Sequence, residues 1–208
     1  MKRITTLTGP SCAGKSTLEN MLAERGCLKG VSTTTRSPRP GEKEGVDYYF
    51  VSKSEFKRLA AQGAFIEAVP FGDHMYGMSV MEVNRLFAQG DHIVIVCEPI
   101  GAAQIRLWVS GQEGIKLTQA FVDNPNSVIA ERFLDRVTKE MAEVASKGSS
   151  ADAYAKVSKT YADRLNIIMT VESHWREKAT EYDMYLSRFD AQNCNAAADL
   201  LAIGATHA

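Results

Sequence analysis

The stretch Gly9-Pro10-Ser11-Cys12-Ala13-Gly14-Lys15-Ser16, followed by Thr17, fits the pattern G-x-x-x-x-G-K-[ST]. That spacing suits a phosphate chain. Glycines let the backbone curl until successive N–H groups point at one anion, and the helix that follows adds the positive end of its dipole. Lys15 then supplies a point charge to the β- and γ-phosphates, and the Ser16 hydroxyl is set to ligate Mg²⁺. The motif follows a strand-like run and opens a helical one, which separates it from a chance Gly/Ser turn. It implies a nucleoside triphosphate but leaves open a hydrolase, a switch or a kinase.

The elements that must position this loop can be read along the chain. Arg3–Thr8 alternates and is β-branched, so it reads as a strand. Ser16–Arg25 carries Leu18, Met21 and Leu22 at helical spacing, and Gly26 stands where a C-terminal glycine belongs. Ser32–Thr35 is β-prone, Arg36–Gly45 is a Pro/Gly/charge loop, and Tyr48–Val51 is a short strand. Ser52-Lys53-Ser54-Glu55 and Ser79-Val80-Met81-Glu82 are capping boxes for helices that stop at Gly63 and Gly90. Phe65–Phe71 reads as a strand between them. His92–Cys97 is a continuous apolar run, as a strand buried on both faces requires. A helix over Gly101–Val109 and a strand over Lys116–Val122 follow. From Asn126 the chain is helical, broken at Lys147-Gly148-Ser149-Ser150, with the second helix reaching about Tyr182. Met184–Ser187 is a last strand and Ala191–Ile203 a last helix.

Composition narrows the function. The chain has 208 residues, 45% hydrophobic and 24% charged, enough for one domain with a sizeable core and too apolar for disorder. Its 24 Lys+Arg are cancelled by 25 Asp+Glu, which disfavours nucleic acid as a partner. The longest apolar candidate for a membrane span, His92–Ile105, is broken by Glu98, Pro99 and Gly101. The N-terminal apolar run is too short for a signal-peptide core. Cys12, Cys27, Cys97 and Cys194 form no CxxC pair, so a reducing cytoplasm is the expected location. His74, His92, His174 and His207 lack metal-ligand spacing, and Trp108 and Trp175 read as packing anchors.

A second string carries more specific information. Ser32-Thr33-Thr34-Thr35-Arg36-Ser37-Pro38-Arg39-Pro40-Gly41-Glu42 runs on to Gly45-Val46-Asp47-Tyr48-Tyr49-Phe50, and Phe65-Ile66-Glu67 and Tyr76-Gly77 come later. With the phosphate loop, these residues resemble the guanylate kinase family, closely from residue 3 to about 90 and more loosely beyond. The resemblance implies an α/β P-loop kinase fold of three layers, with a parallel sheet, an inserted mixed α/β lobe for the nucleoside monophosphate, and a helical lid. The single domain then divides into a core at about 1–31, 91–130 and 180–208, the acceptor lobe at about 32–80 and the lid at about 131–165. It also implies roles for individual residues. Arg36, Arg39, Tyr48 and Tyr76 would grip the acceptor phosphate, and guanidinium forks suit its oxygens. Glu67, helped by Ser32, would accept from guanine N1–H and the 2-amino group. Arg132, Arg136 and Arg164 align with arginines of the lid and ATP region, where Arg136 and Arg164, with Lys15 and Arg36, would neutralise charge on the transferring group.

The sequence also departs from the family. Met78 follows Tyr76-Gly77 where a hydroxyl residue contacts the base, which predicts altered base selectivity. Val96 and Glu98 replace an Asp-x-Asp pair, leaving Glu98 to organise Mg²⁺-bound water or pair with Lys15. Extra length lies between Lys139 and Ala162, and Ser187-Arg188-Phe189-Asp190 stands where the family has Asn-Asp-Asp. The expected function is ATP- and Mg²⁺-dependent phosphorylation of a nucleoside monophosphate, (d)GMP or a related or modified nucleotide, by a monomer or homodimer. A phosphorylated-sugar kinase and a non-catalytic binding module are the alternatives. Retention of Glu67 argues against the first, and retention of Lys15 and Ser16 argues against the second.

Overall fold

Alternate residues of the central strand face two different apolar cores. In the computed structural model, which describes residues 1–39, 41–146, 148, 150–170, 172–187 and 191–203, β1 (Lys2–Thr8) is buried from Ile4 onward. Ile4 packs with Ile93, Ile95, Ile105 and Val109, whereas Leu7 packs with Leu18, Leu22, Val94 and Ala198. A strand buried on both faces needs cover on both, and parallel crossovers provide it. β1 therefore sits at the centre of a five-stranded sheet. β7 (His92–Val96) and then β2 (Leu28–Lys29) lie to one side, and β8 (Ile115–Val122) and then β9 (Met184–Leu186) to the other. Every pairing is parallel. The buried polar groups of this sheet find partners, as they must. Thr5 Oγ1 meets His92 Nε2 at 2.8 Å, and Gln119 donates to Ala102 O at 2.8 Å and to Thr6 Oγ1 at 3.4 Å.

α1 (Lys15–Glu24) and α7 (Ala191–Ala202) cover the Leu7 face. α4 (Pro99–Ser110) covers the Ile4 face together with the inserted lobe. The lobe is a four-stranded sheet in the order β4 (Tyr49–Phe50), β3 (Thr33–Thr34), β6 (His74–Ser79), β5 (Phe65–Phe71). Ile66 and Met78 share the core cluster of Ile93 and Ile95, so the lobe is seated on the central sheet rather than tethered to it. Both serine N-caps form, while the glutamate carboxylates of the two expected capping boxes bond elsewhere, Glu55 to Arg58 and Glu82 to Val31 N–H, Tyr49 and Arg85. Ser52 accepts from Glu55 N–H at the start of α2 (Lys53–Ala61), and Ser79 from Glu82 N–H at the start of α3 (Val80–Phe87). Phe56 of α2 stacks on Phe65 of β5 with ring centroids 4.6 Å apart. α5 (Asn126–Ser146) and α6 (Ala151–Thr170) form the helical arm, joined where Phe133 meets Tyr161 edge-on at 5.6 Å.

Several boundaries differ from the sequence reading, each for a physical reason. α4 begins at Pro99 rather than Gly101, because proline at the first helical position loses no hydrogen bond. The second long helix stops at Thr170, and a 3-10 helix, Glu172–Glu181, follows where a continuous helix to Tyr182 is expected. Tertiary anchors hold that segment, as described below. β2 and β6 were not anticipated. β6 lacks clean alternation and owes its existence to antiparallel pairing with β5 across the two-residue turn Gly72-Asp73, with Gly72 at φ 59°. In the break between the long helices, Lys147 and Ser149 lie outside the described residues, as do Pro40, the Arg188–Asp190 part of the divergent C-terminal segment, and His207. Among the described residues no helix is long and apolar enough to cross a membrane, the four cysteines are free thiols, and no cluster of three or more His, Cys, Asp or Glu could hold a metal.

Gly9 ends β1 at φ 144°, and a Cβ there would lie 1.9 Å from Val122 O on the neighbouring strand. Gly63, at φ 68°, has open space around it. Gly9→Ala is predicted to cost about 3 kcal/mol or more, combining backbone strain with a clash that only strand displacement relieves. Gly63→Ala should cost only about 1–2 kcal/mol. Thermal melts of the two variants should separate accordingly.

Candidate active site

The loop between β1 and α1 is wound by residues of unusual backbone geometry. Cys12 at φ 63° and Gly14 at φ 106° carry the chain into α1, with Gly14 as its N-cap. The loop is braced from outside. Asn124 Nδ2 donates to Ala13 O at 2.8 Å, and Arg132 of α5 donates to Cys12 O at 3.2 Å. Lys15 Nζ folds back onto Gly9 O and Pro10 O at 2.6 and 2.7 Å. Burial lowers its pKa to about 8, with Glu172 opposing and Arg164 adding to the shift.

A cleft of about 490 Å³ opens from this loop toward the lobe and the helical arm. Of the residues singled out in the sequence, it is lined by Ser11, Lys15 and Ser16 from the loop and first helix, and by Ser32, Arg36, Arg39, Tyr48, Glu67 and Tyr76 from the lobe. Val96 and Cys97 at the end of β7, Glu98 at the N-terminus of α4, and Arg136 and Arg164 from the arm also line it. Gly9, Pro10, Cys12, Ala13, Gly14, Thr17 and Arg132 are not cleft walls. Gly9 and Pro10 hold Lys15 through their carbonyls, and Arg132 buttresses the loop from α5.

Met78 is the exception. Its side chain is fully buried in the core cluster with Ile66 and Ile95 and does not line the cleft. The expected contact of a thioether with the base is therefore corrected: β6 turns Met78 into the core. The next hydroxyl, on Ser79, is occupied in capping α3.

In the lobe, Arg36 makes a two-point ion pair with Glu42 at 2.8 and 2.9 Å and lies over the Tyr48 ring at 5.3 Å. Its Nε is buried without a partner. Glu42 also accepts the Arg39 backbone N–H at 2.7 Å, which fixes the turn carrying both arginines. Tyr48 and Tyr76 meet edge-on with centroids 6.0 Å apart. Glu67 is 4% exposed and its Oε2 has no hydrogen-bond partner. Burial raises its pKa to about 7, against a backbone hydrogen bond from Met78 and with the charge of Glu98 adding to the rise. Gly101 passes so close that a Cβ there would meet Glu67 Oε2 at 2.9 Å. Glu98 is likewise raised to about 7, by burial and then by Glu172.

The sequence reading missed Glu172 and Trp175, both of which line the cleft from the 3-10 segment. Trp175, expected as a helix packing anchor, is thus a wall of the site. Glu172 accepts from Ser11 N–H at 2.6 Å and from Ser11 Oγ at 2.7 Å, while Arg164 donates to the same hydroxyl at 3.2 Å. Glu172 lies 161 residues from Ser11 in sequence, so no local pattern could reveal the pair. Arg176 of the same segment forks onto Asp123 at 2.7 and 2.8 Å. It lines a second cavity, about 350 Å³, beyond the ends of β8 and β9. A sequence signal existed only for Glu42, which belongs to the motif string around Arg36.

The chain is similar to known proteins in sequence and in fold. The family pattern for guanylate kinase matches residues 1–170. The guanylate kinase of Chlamydia felis is 43% identical over 107 residues, which cover 50% of this chain and 52% of that protein. The guanylate kinase of Mannheimia succiniciproducens is 39% identical over 150 residues, covering 66% of this chain and 72% of its own. Several curated relatives are matched over only about half their length. The crystal structure of guanylate kinase from Anaplasma phagocytophilum shares the fold, with a TM-score of 0.61 at 23% identity, over 98% of this chain and 84% of that one. With the family pattern spanning most of its length, phosphate loop and acceptor lobe included, this chain belongs to the guanylate kinase family.

Proposed function

We propose that the chain transfers the γ-phosphate of ATP to GMP or dGMP. The observation that carries this reading is Glu67: a buried carboxylate oxygen without a partner, in the same cleft as the phosphate loop and the Arg36/Arg39 turn. An unpaired buried acceptor costs about 1–3 kcal/mol. Guanine offers two adjacent donors, N1–H and the 2-amino group, that would satisfy it. Adenine at the same edge would leave it unpaired, which is how such sites discriminate. Met78 lies in the core, away from any bound base, so guanine reading would rest on Glu67 and Ser32.

The chemistry asks little of the protein beyond placement. The acceptor phosphate oxygen is already ionised, so no strong general base is required. Arg36 and Arg39 would hold that phosphate once Glu42 yields its place, with Tyr48 and Tyr76 as hydroxyl donors. Lys15, Arg136 and Arg164 face the loop side of the cleft and would neutralise charge on the transferring group. Closure of the arm over the cleft would keep water from the reacting phosphate. Ser16 and Glu98 offer hard oxygen donors at the helix start and strand end, the donor chemistry that Mg²⁺ prefers. Bound there with ATP, Mg²⁺ would offset phosphate charge. Nucleotides are the proposed partners and the cytoplasm the proposed location.

An acceptor series of (d)GMP, (d)AMP, (d)CMP and dTMP tests the reading. GMP or dGMP should be by far the best acceptor, and equal use of AMP would reject guanine specificity. Arg164→Ala should lower kcat by about 10³-fold or more with the fold intact. Glu67→Gln should weaken GMP binding about tenfold or more.

Glu67 also makes a stability prediction. Between the ordinary carboxylate value of 4.5 and about 7, the folded chain keeps a proton that the unfolded chain has released. This group therefore makes stability fall as pH rises through that window. Glu67→Gln should lose this group's share of the slope, leaving the part contributed by Glu98, and exceed the parent by about 1–3 kcal/mol above pH 7 in denaturant titrations without nucleotide.

A further inference from the structure

Glu172 holds donors that a phosphate would take. Its carboxylate is 2% exposed and receives both the backbone N–H and the hydroxyl of Ser11, a phosphate-loop residue. The Ser11 hydroxyl in turn accepts from Arg164 of α6, whose Nε is buried without a partner. The chain Arg164–Ser11–Glu172 thus ties the helical arm and the segment after it to the phosphate loop. A polyphosphate needs the same N–H and hydroxyl, carries the same sign of charge, and cannot share a water-poor pocket with the carboxylate.

We propose that Glu172 is a positioning residue that stands in for phosphate at the loop of the unliganded chain and is expelled by the incoming polyphosphate, freeing Arg164 to meet the transferring group. The proposal rests on the phosphate-loop function above and goes beyond it. It makes donor binding the event that uncouples residues 172–181 from the loop. The same segment carries Trp175 in the cleft wall and Arg176 on Asp123, so its release reaches both cavities.

The test is calorimetric binding of pyrophosphate in EDTA to the full chain, E172Q, E172A and K15A, with melts to confirm folding. It is paired with hydrogen exchange of amides 172–181 in the wild type. Both Glu172 variants should bind about tenfold tighter than wild type, because each removes a charged competitor for the Ser11 donors. Pyrophosphate should raise exchange across 172–181 in the wild type, a readout that needs no variant to fold. Equal or weaker binding by the folded Glu172 variants overturns the proposal, as does unchanged wild-type exchange. If wild type binds pyrophosphate, K15A loses it and the Glu172 variants bind no tighter, only the surrogate role falls. If wild type fails to bind pyrophosphate and K15A is no different, the phosphate-loop reading itself fails and takes the proposal with it.

Discussion

Lys15, Arg36, Arg39, Arg136 and Arg164 converge on one cleft, and cations brought together in a partly buried space repel unless anions separate them. The strain is visible at Arg164, which burial and then the charges of Arg136 and Arg39 push below its ordinary pKa. Resident carboxylates lie among these cations. Glu42 forks onto Arg36, and Glu172 sits beside Lys15 and Arg164 on the Ser11 donors. Under the proposed function, each holds donors that a substrate phosphate would take. The near-neutral total charge of −1 therefore conceals a local excess of cations, paired with carboxylates that substrate phosphates would replace under the proposed function.

The fold exists to bring those charges together. Strand ends at one edge of the parallel sheet supply the phosphate loop after β1, Glu98 after β7 and Asp123 after β8, as open α/β sheets place their ligand sites. The chain entering the inserted lobe is tied to α3 by Glu82, which is 1% exposed. It takes Val31 N–H, the Tyr49 hydroxyl and the Arg85 guanidinium at once. One carboxylate thereby fixes α3 to the chain entering the lobe and to the strand beside Tyr48. The arm brings Arg136 and Arg164 from the opposite side.

What could be read from the sequence divides by range of interaction. The strand, glycine-rich loop and helix around Lys15, the serine N-caps at Ser52 and Ser79, and the strand starting at His92, expected to Cys97 and ending at Val96, follow from local pattern. Arg36, Arg39, Tyr48, Tyr76 and Glu67 needed the resemblance to be selected, since a glutamate in an apolar strand or an arginine in a turn is locally unremarkable. Glu172, Trp175 and Arg176 were illegible because their placement depends on anchors at Ser11 and Asp123, far away in sequence. Met78 failed differently. Its position beside Tyr76-Gly77 suggested the base, but its side chain is fully buried in the core shared with Ile66 and Ile95, where the lobe seats on the central sheet. Met78 stands two places after Tyr76, where regular alternation would put both on one face, and the motif does not reveal that only Tyr76 lines the cleft.

The central claim is that substrate groups displace resident carboxylates and satisfy Glu67 in a single cleft. A crystal structure with GMP and a non-hydrolysable ATP analogue bound together tests it most directly. The account predicts Arg36 on the GMP phosphate with Glu42 displaced, Glu67 within hydrogen-bond distance of guanine N1 and the 2-amino nitrogen, and the polyphosphate on Ser11. A structure with GMP bound elsewhere, Arg36 still forked onto Glu42 and Glu67 still without a partner would contradict it.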